Sequence, residues 1–212
     1  MKLGFIGIGQ VGGALALKLG KGGHSIILGA RDTTHPKAQA LAKEIGLKAK
    51  IENIRDCIEQ SDVIFLATPW KAVEGLALEY RDLLANKVLI DCTNPLKPDL
   101  SGLAVSGENS GGEILQSLLP QTKVIKAFNT VGFNIMKEPV LEGRKSVMYF
   151  CGNDEKSRHL VQELINEVGF FPIEAGDIKS SRLLEPFALL WISSAYKYGL
   201  GREFAFSLIK RG

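Results

Sequence analysis

The sequence predicts an α/β fold: a doubly wound, mainly parallel sheet with a small C-terminal helical extension. Two observations lead there. Short apolar runs alternate with stretches of helix-compatible spacing along most of the chain, and such alternation builds a parallel sheet covered by helices. The first apolar run also feeds directly into a glycine-rich turn, Gly7-Ile8-Gly9-Gln10-Val11-Gly12, that opens a helical segment.

The strand signals are Lys2 to Ile6, Ser25 to Leu28, Ala49 to Ile51, Asp62 to Ala67, Lys87 to Asp91 and Lys123 to Phe128. Between them, apolar residues at helical spacing predict helices over Gln10 to Gly20, Pro36 to Ile45, Ile54 to Gln60, Ala72 to Leu84 and Gly112 to Leu118. Two later runs, Ser146 to Cys151 and Phe170 to Glu174, enclose a helix from Asp154 to Val168 and extend the same sheet. From Pro186 onward the chain is apolar almost all round through Trp191 and Ile192. Pro186 suits the first turn of a helix, and a helix without a polar face is buried: across the sheet edge, along a pocket, or against its counterpart in a dimer. The stretch Asn94 to Gly111, rich in Gly, Ser and Pro, is either a surface excursion or a lid.

Composition narrows the function classes. The 212 residues are 45% hydrophobic, enough for one sizeable core with a small appended lobe. A net charge of +3, spread without a basic block, does not indicate nucleic acid as a partner. No segment is long and apolar enough to span a membrane, and glycines at Gly4, Gly7 and Gly9 interrupt what would otherwise imitate a secretory leader. Cys57, Cys92 and Cys151 have neither a redox nor a metal-ligand spacing, as expected of reduced, buried thiols in a cytoplasmic protein.

The glycine turn carries the chemistry. A strand precedes it and a helix follows, the context in which this pattern marks a Rossmann-type dinucleotide site. Gly7 permits the tight turn, Gly9 admits a pyrophosphate, Gly12 lets helix and strand pack closely, and the helix amides receive the phosphate charge. After the second strand, where an NAD enzyme places a carboxylate for the ribose 2'-hydroxyl, this chain has Ala30 and Arg31. A guanidinium fork favours a 2'-phosphate, so the reading is NADP, with Thr33 and Lys37 as further donors. Asp32, one position late, blunts that preference. Ligands in open parallel sheets lie outside the carboxyl ends of the strands, which adds Thr68-Pro69-Trp70 and Asn129-Thr130-Val131-Gly132-Phe133. Trp70 either floors an aromatic ligand or anchors packing, while Gly132 permits close approach of backbone to a nicotinamide. His24, His35 and His159 read as structural or solvated. With no nucleophile elbow, metal spacing or Walker loop, no catalytic acid, base or metal ligand is assigned.

These stretches together resemble the family of NADP-dependent reductases of the deazaflavin coenzyme F420. The matching segments are Gly4 to Gly12, Gly29-Ala30-Arg31, Thr68-Pro69-Trp70, Lys126-Ala127-Phe128-Asn129-Thr130, Cys151-Gly152-Asn153-Asp154, Ala175-Gly176-Asp177 and Ser181-Arg182-Leu183-Leu184-Glu185. The resemblance implies a Rossmann domain over residues 1–135, a C-terminal sheet extension and helical region over 136–212 for dimerisation and the acceptor, and a homodimer. It also implies Ile8, Ala30 and Arg31 against NADP, and Val131, Gly132 and Phe133 beside the nicotinamide. Archaeal members typically carry histidine where this chain has Asn129; the form here is more similar to the bacterial branch and to flavin-using ferric reductase domains.

The function expected is hydride transfer between NADP(H) and a small-molecule acceptor, F420 or a flavin such as FMN or FAD, which requires two rings held face to face rather than a proton donor. An NADPH-dependent reductase of a small imine or carbonyl is the alternative enzyme, although the C-terminal region is short for the helical domain such enzymes carry. A non-catalytic NADP(H)-sensing module is the alternative outside catalysis.

Overall fold

The computed structural model describes residues 1–211. The chain alternates through β1 (Lys2–Ile6), α1 (Gln10–Lys21), β2 (Ser25–Gly29), α2 (Pro36–Ile45), β3 (Ala49–Glu52), α3 (Ile54–Gln60) and β4 (Val63–Leu66). A 3-10 turn at Trp70–Ala72 leads into α4 (Val73–Glu79) and α5 (Arg81–Leu84), then β5 (Val88–Asp91), α6 (Gly111–Leu118), β6 (Lys123–Lys126) and α7 (Phe133–Lys137). A hairpin of β7 (Val140–Leu141) and β8 (Arg144–Lys145) precedes β9 (Val147–Gly152), α8 (Glu155–Val168) and β10 (Phe171–Glu174). The last helix, α9 (Ser181–Ile192), runs into a π-helical turn at Ser193–Lys197.

One eight-stranded sheet has the order β10-β9-β6-β5-β4-β1-β2-β3. Pairing is parallel from β3 across to β6 and again between β9 and β10, and antiparallel between β6 and β9. Every strand read from the sequence is present. The order reverses between β1 and β4, which places a ligand crevice outside their carboxyl ends.

The central strand runs are largely apolar because successive side chains feed two cores, one on each face. Leu3, Phe5, Val63, Phe65, Ile90 and Ile125 pack on one side with residues of α1 and α8. Ile6, Ile64, Leu66, Leu89 and Val124 pack on the other with residues of α4 and α6. Phe5 stacks on Phe65 at 4.5 Å, and Phe128 and Phe170 continue the aromatic file across the sheet. Among the described residues no helix is long and apolar enough to cross a membrane, and no cluster of three His, Cys, Asp or Glu side chains is set to hold a metal.

Three sequence expectations are corrected. The helix expected over Ala72 to Leu84 breaks at Tyr80, whose φ of −111° and ψ of 17° leave the helical range. Pro186 does not begin the C-terminal helix; it lies inside α9, which starts five residues earlier at Ser181. The side chains of Arg182 and Glu185 find partners on α6 and β6, and those contacts outweigh the single backbone bond that a proline forgoes. Nor is α9 buried all round: Leu184, Ala188 and Trp191 are buried, but Leu183 is 69% and Leu190 is 53% exposed. The five-residue α7 and the β7–β8 hairpin are too short to register as periodic patterns.

Candidate functional site

The glycine turn builds the floor of a cleft. Gly7 adopts φ of +96° between β1 and α1, and a Cβ there would strike the backbone of Ala67 and Thr68. At Gly12 a Cβ would collide with the carbonyl of Gly7, so only glycine lets α1 lie this close to the turn. Gly9, by contrast, faces open space.

The resulting cleft, about 660 Å³ in volume, gathers Gly7, Ile8, Gly9, Ala30, Arg31, Lys37, Thr68 and Pro69. Its apolar walls come from Ile54, Ala72 and Leu76, and its rim adds Asp32, His35 and Glu79. The Asp32 carboxylate is tied into its own turn, accepting from Thr34 N (2.9 Å) and Thr34 Oγ1 (2.6 Å). The Thr34 side-chain and backbone bonds hold its pKa below the usual carboxylate range. Thr33 does not line the cleft; its carbonyl accepts from the Gln39 side chain. Gln10, Val11 and Gly12 belong to α1, behind the turn. Ile54, Leu76 and Glu79 escaped the sequence reading, legible only as members of helical patterns, and His35, read there as structural or solvated, lines the cleft.

Asn129 to Phe133 lie apart from this cleft, at the end of β6. The chain turns there at Phe128, fully buried with φ of +60°, a left-handed conformation that costs a non-glycine residue on the order of 1–2 kcal/mol. The Asn129 amide nitrogen donates to Asn94 Oδ1 (3.0 Å) and to the Leu184 carbonyl (3.3 Å), while Asn94 returns a bond to the Asn129 carbonyl (2.8 Å). Asn129 Oδ1 and the Thr68 hydroxyl are buried polar atoms without a partner, and an orphaned acceptor or donor normally awaits one. Gly132 sits against the Trp191 ring. Trp191 in turn stacks on Phe204 at 5.2 Å and donates its indole N–H to the Phe204 carbonyl (2.9 Å), so the C-terminal segment straps this end. Trp70 packs over Gly111 rather than lining the cleft, which is the packing-anchor alternative.

A buried ion network lies beneath. Lys126, fully buried, bonds Asp91 Oδ2 (2.7 Å), Glu185 Oε1 (2.8 Å) and the Thr93 carbonyl (2.9 Å). Glu185 also accepts from the first amides of α6, Gly111 (2.9 Å) and Gly112 (3.0 Å), where the helix dipole favours a negative charge. Burial alone lowers the pKa of Lys126, but the two carboxylates more than reverse this and hold it above the usual lysine range. Two motifs quoted from the sequence, Lys126 to Thr130 and Ser181 to Glu185, therefore meet in space. Arg182 adds a two-point bond to Glu113 (2.7 and 2.8 Å) beside them. Desolvation raises all three thiols, Cys57 and Cys151 to about 11 and Cys92 well above its ordinary value, so none is a ready nucleophile.

Comparison with known proteins agrees with this architecture. Residues 2–95 match the family described as NADP oxidoreductase, coenzyme F420-dependent. The F420-dependent NADP reductase of Methanocaldococcus jannaschii is 28% identical over 214 residues, covering 93% of this chain and 94% of that protein. The metalloreductase STEAP3 of Rattus norvegicus is 29% identical over 196 residues, covering 91% of this chain, which thus spans only 37% of that protein's length. A crystal structure from Arthrobacter sp. FB24, of a candidate F420-dependent NADP-reductase, superposes with a TM-score of 0.87 at 26% identity, covering 99% of this chain and 100% of that one. The chain is an NADP-dependent oxidoreductase similar to the F420-dependent NADP reductases, whose family pattern its residues 2–95 match.

Proposed function

We propose that this protein moves a hydride between NADP(H) and a planar deazaflavin or flavin ring. The observation that carries the cofactor half is the cleft itself, where a positive-φ glycine turn and the cationic Arg31 and Lys37 share one cavity. The glycine cradle and the open space at Gly9 fit a pyrophosphate. The apolar walls at Ile54 and Leu76 fit an adenine, and Arg31 and Lys37 fit a 2'-phosphate. When bound, NADPH supplies a hydride from nicotinamide C4, and the acceptor ring takes up that electron pair.

The residues of the other end support a ring acceptor. Asn129, Thr130, Val131, Gly132 and Phe133 carry no group that titrates near neutrality. The nearby Lys126 ammonium is paired with Asp91 and Glu185 and donates to the Thr93 carbonyl, so it is not free to act as a proton donor. Such a site orients two rings and excludes water, which suits ring-to-ring hydride transfer better than reduction of a carbonyl or imine. The M. jannaschii relative is named for F420 and the rat relative for metal reduction, so both acceptor types belong in the test. The buried, free cysteines suit the reducing cytoplasm. The exposed apolar residues Leu183, Leu190, Tyr196, Tyr198 and Leu200 support a homodimer.

The deciding experiment follows nicotinamide absorbance with NADPH and, separately, F420, FMN, FAD and small cyclic imines. Turnover with F420 or a flavin is the expected result. Turnover with imines alone would overturn the ring-acceptor reading, and tight NADPH binding without any turnover would make the protein a sensor.

A further inference from the structure

His35 lies at the rim of the cleft between Arg31 and Lys37, at the N-cap of α2. Its Nδ1 accepts the backbone N–H of Lys37 at 3.2 Å. In the neutral imidazole the nitrogen that accepts cannot carry the proton, so the cap bond fixes the tautomer: the proton is on Nε2. Nε2 has no protein partner among the described residues, and the ring is exposed on the cleft side of the loop. Arg31 and Lys37 supply positive charge on either side in the chain. Of the acids lining the cleft, Asp32 is occupied with Thr34, and Glu79 comes from α4 on the opposite wall.

We propose that His35 is a specificity-determining residue: its Nε2–H, locked in place by the α2 cap bond, donates to the phosphate monoester that distinguishes NADP from NAD. This rests on the cofactor half of the proposed function. The helix cap and the ligand contact then use the two nitrogens of one ring, so the same hydrogen bond that starts α2 sets the donor that reads the ligand. Arg31 and Lys37 supply the positive charge, and His35 adds an uncharged donor whose direction the cap bond fixes.

The test separates cap from donor. Asn is among the best N-cap residues, so His35→Asn keeps an acceptor for Lys37 N–H while removing the Nε2 donor; His35→Ala removes both. Calorimetric titration of the full chain with NADP⁺, NAD⁺ and adenosine 2',5'-bisphosphate, together with thermal melts without ligand, reads out the two roles. His35→Asn is expected to melt like the parent, to bind NADP⁺ and the bisphosphate about tenfold to a hundredfold more weakly, the range for a hydrogen bond to a charged group, and to leave NAD⁺ binding unchanged. Parent-like NADP⁺ binding by His35→Asn would overturn the proposal, as would equal losses for NADP⁺ and NAD⁺ accompanied by a lowered melting temperature in His35→Ala alone. Arg31→Ala serves as the control: if it and the parent both fail to distinguish NADP⁺ from NAD⁺, the cofactor reading itself has failed, separately from His35.

Discussion

Replacing Lys126 with Met tests whether the ion network organises the protein. Methionine keeps most of the side-chain volume and removes only the ammonium. Asp91 would retain its bonds from Thr93, and Glu185 its bonds from Gly111 and Gly112, but two fully buried carboxylates would lose their shared cation. Breaking a buried pair by removing one partner typically costs about 3–5 kcal/mol. An unfolding entropy of about 2.1 cal/mol/K per residue, over 212 residues, turns that into a melting temperature lower by about 7–11 °C. The pH dependence adds a second check. In the parent, the raised pKa of Lys126 means its contribution is complete below the unfolded lysine value and fades only as the pH rises through the folded value, so Lys126 adds no slope between pH 5.5 and 7.5. Calorimetric melts of both proteins at the two pH values decide it. A variant within about 2 °C of the parent at both pH values would refute the reasoning.

Two further outcomes are expected. In Gly132→Ala the new methyl would sit 2.5 Å from the Trp191 ring and 2.6 Å from Asn134 Oδ1; because Trp191 is pinned by Phe204, overpacking should cost about 1–3 kcal/mol and slow turnover much more than it weakens NADP⁺ binding, and parent-like kinetics would contradict the placement of this loop beside the reacting ring. Leu190→Glu puts a charge on the exposed apolar face of α9 and should leave, by light scattering, a particle of 23.1 kDa where the parent shows twice that mass; a parent already monomeric would remove the dimer from the picture.

The sheet was legible because its central strands β1, β4 and β5 are apolar on both faces, so their signal does not depend on knowing their neighbours. The glycine cleft was legible for a related reason: Gly7, Gly9, Ala30 and Arg31 meet there from short turns whose backbone demands are local. The rest depends on residues distant in sequence. Nothing near Lys126 announces a salt bridge, because its partners come from β5 and α9. Pro186 was misread by a rule about helix starts, since the contacts that begin α9 earlier, Arg182 with Glu113 and Glu185 with the α6 amides, are tertiary. Thr33 read as a phosphate donor and Asp32 as a carboxylate set against one, and only the folded loop shows Asp32 occupied by Thr34 and Thr33 outside the cleft lining.

Within the eight-stranded sheet, the one antiparallel pairing among the described residues, between β6 and β9, divides the loops into two populations. The loops after β1, β2, β4, β5 and β6 open on the crevice, whereas those after β9 and β10 open at the opposite end of the sheet. There Asp154 caps α8 through Ser157 N and Asn153 receives the Ile178 amide, so the family-like Cys151-Gly152-Asn153-Asp154 motif is an anchor at the end of the sheet away from the glycine cleft. From that far end α9 climbs back past Lys126 and Asn129 to set Trp191 on Gly132. A chain with β9 running parallel would have had to spend a second crossover to bring any helix to that place; the reversal supplies the return path, and leaves the far loops free to diverge without disturbing the chemistry.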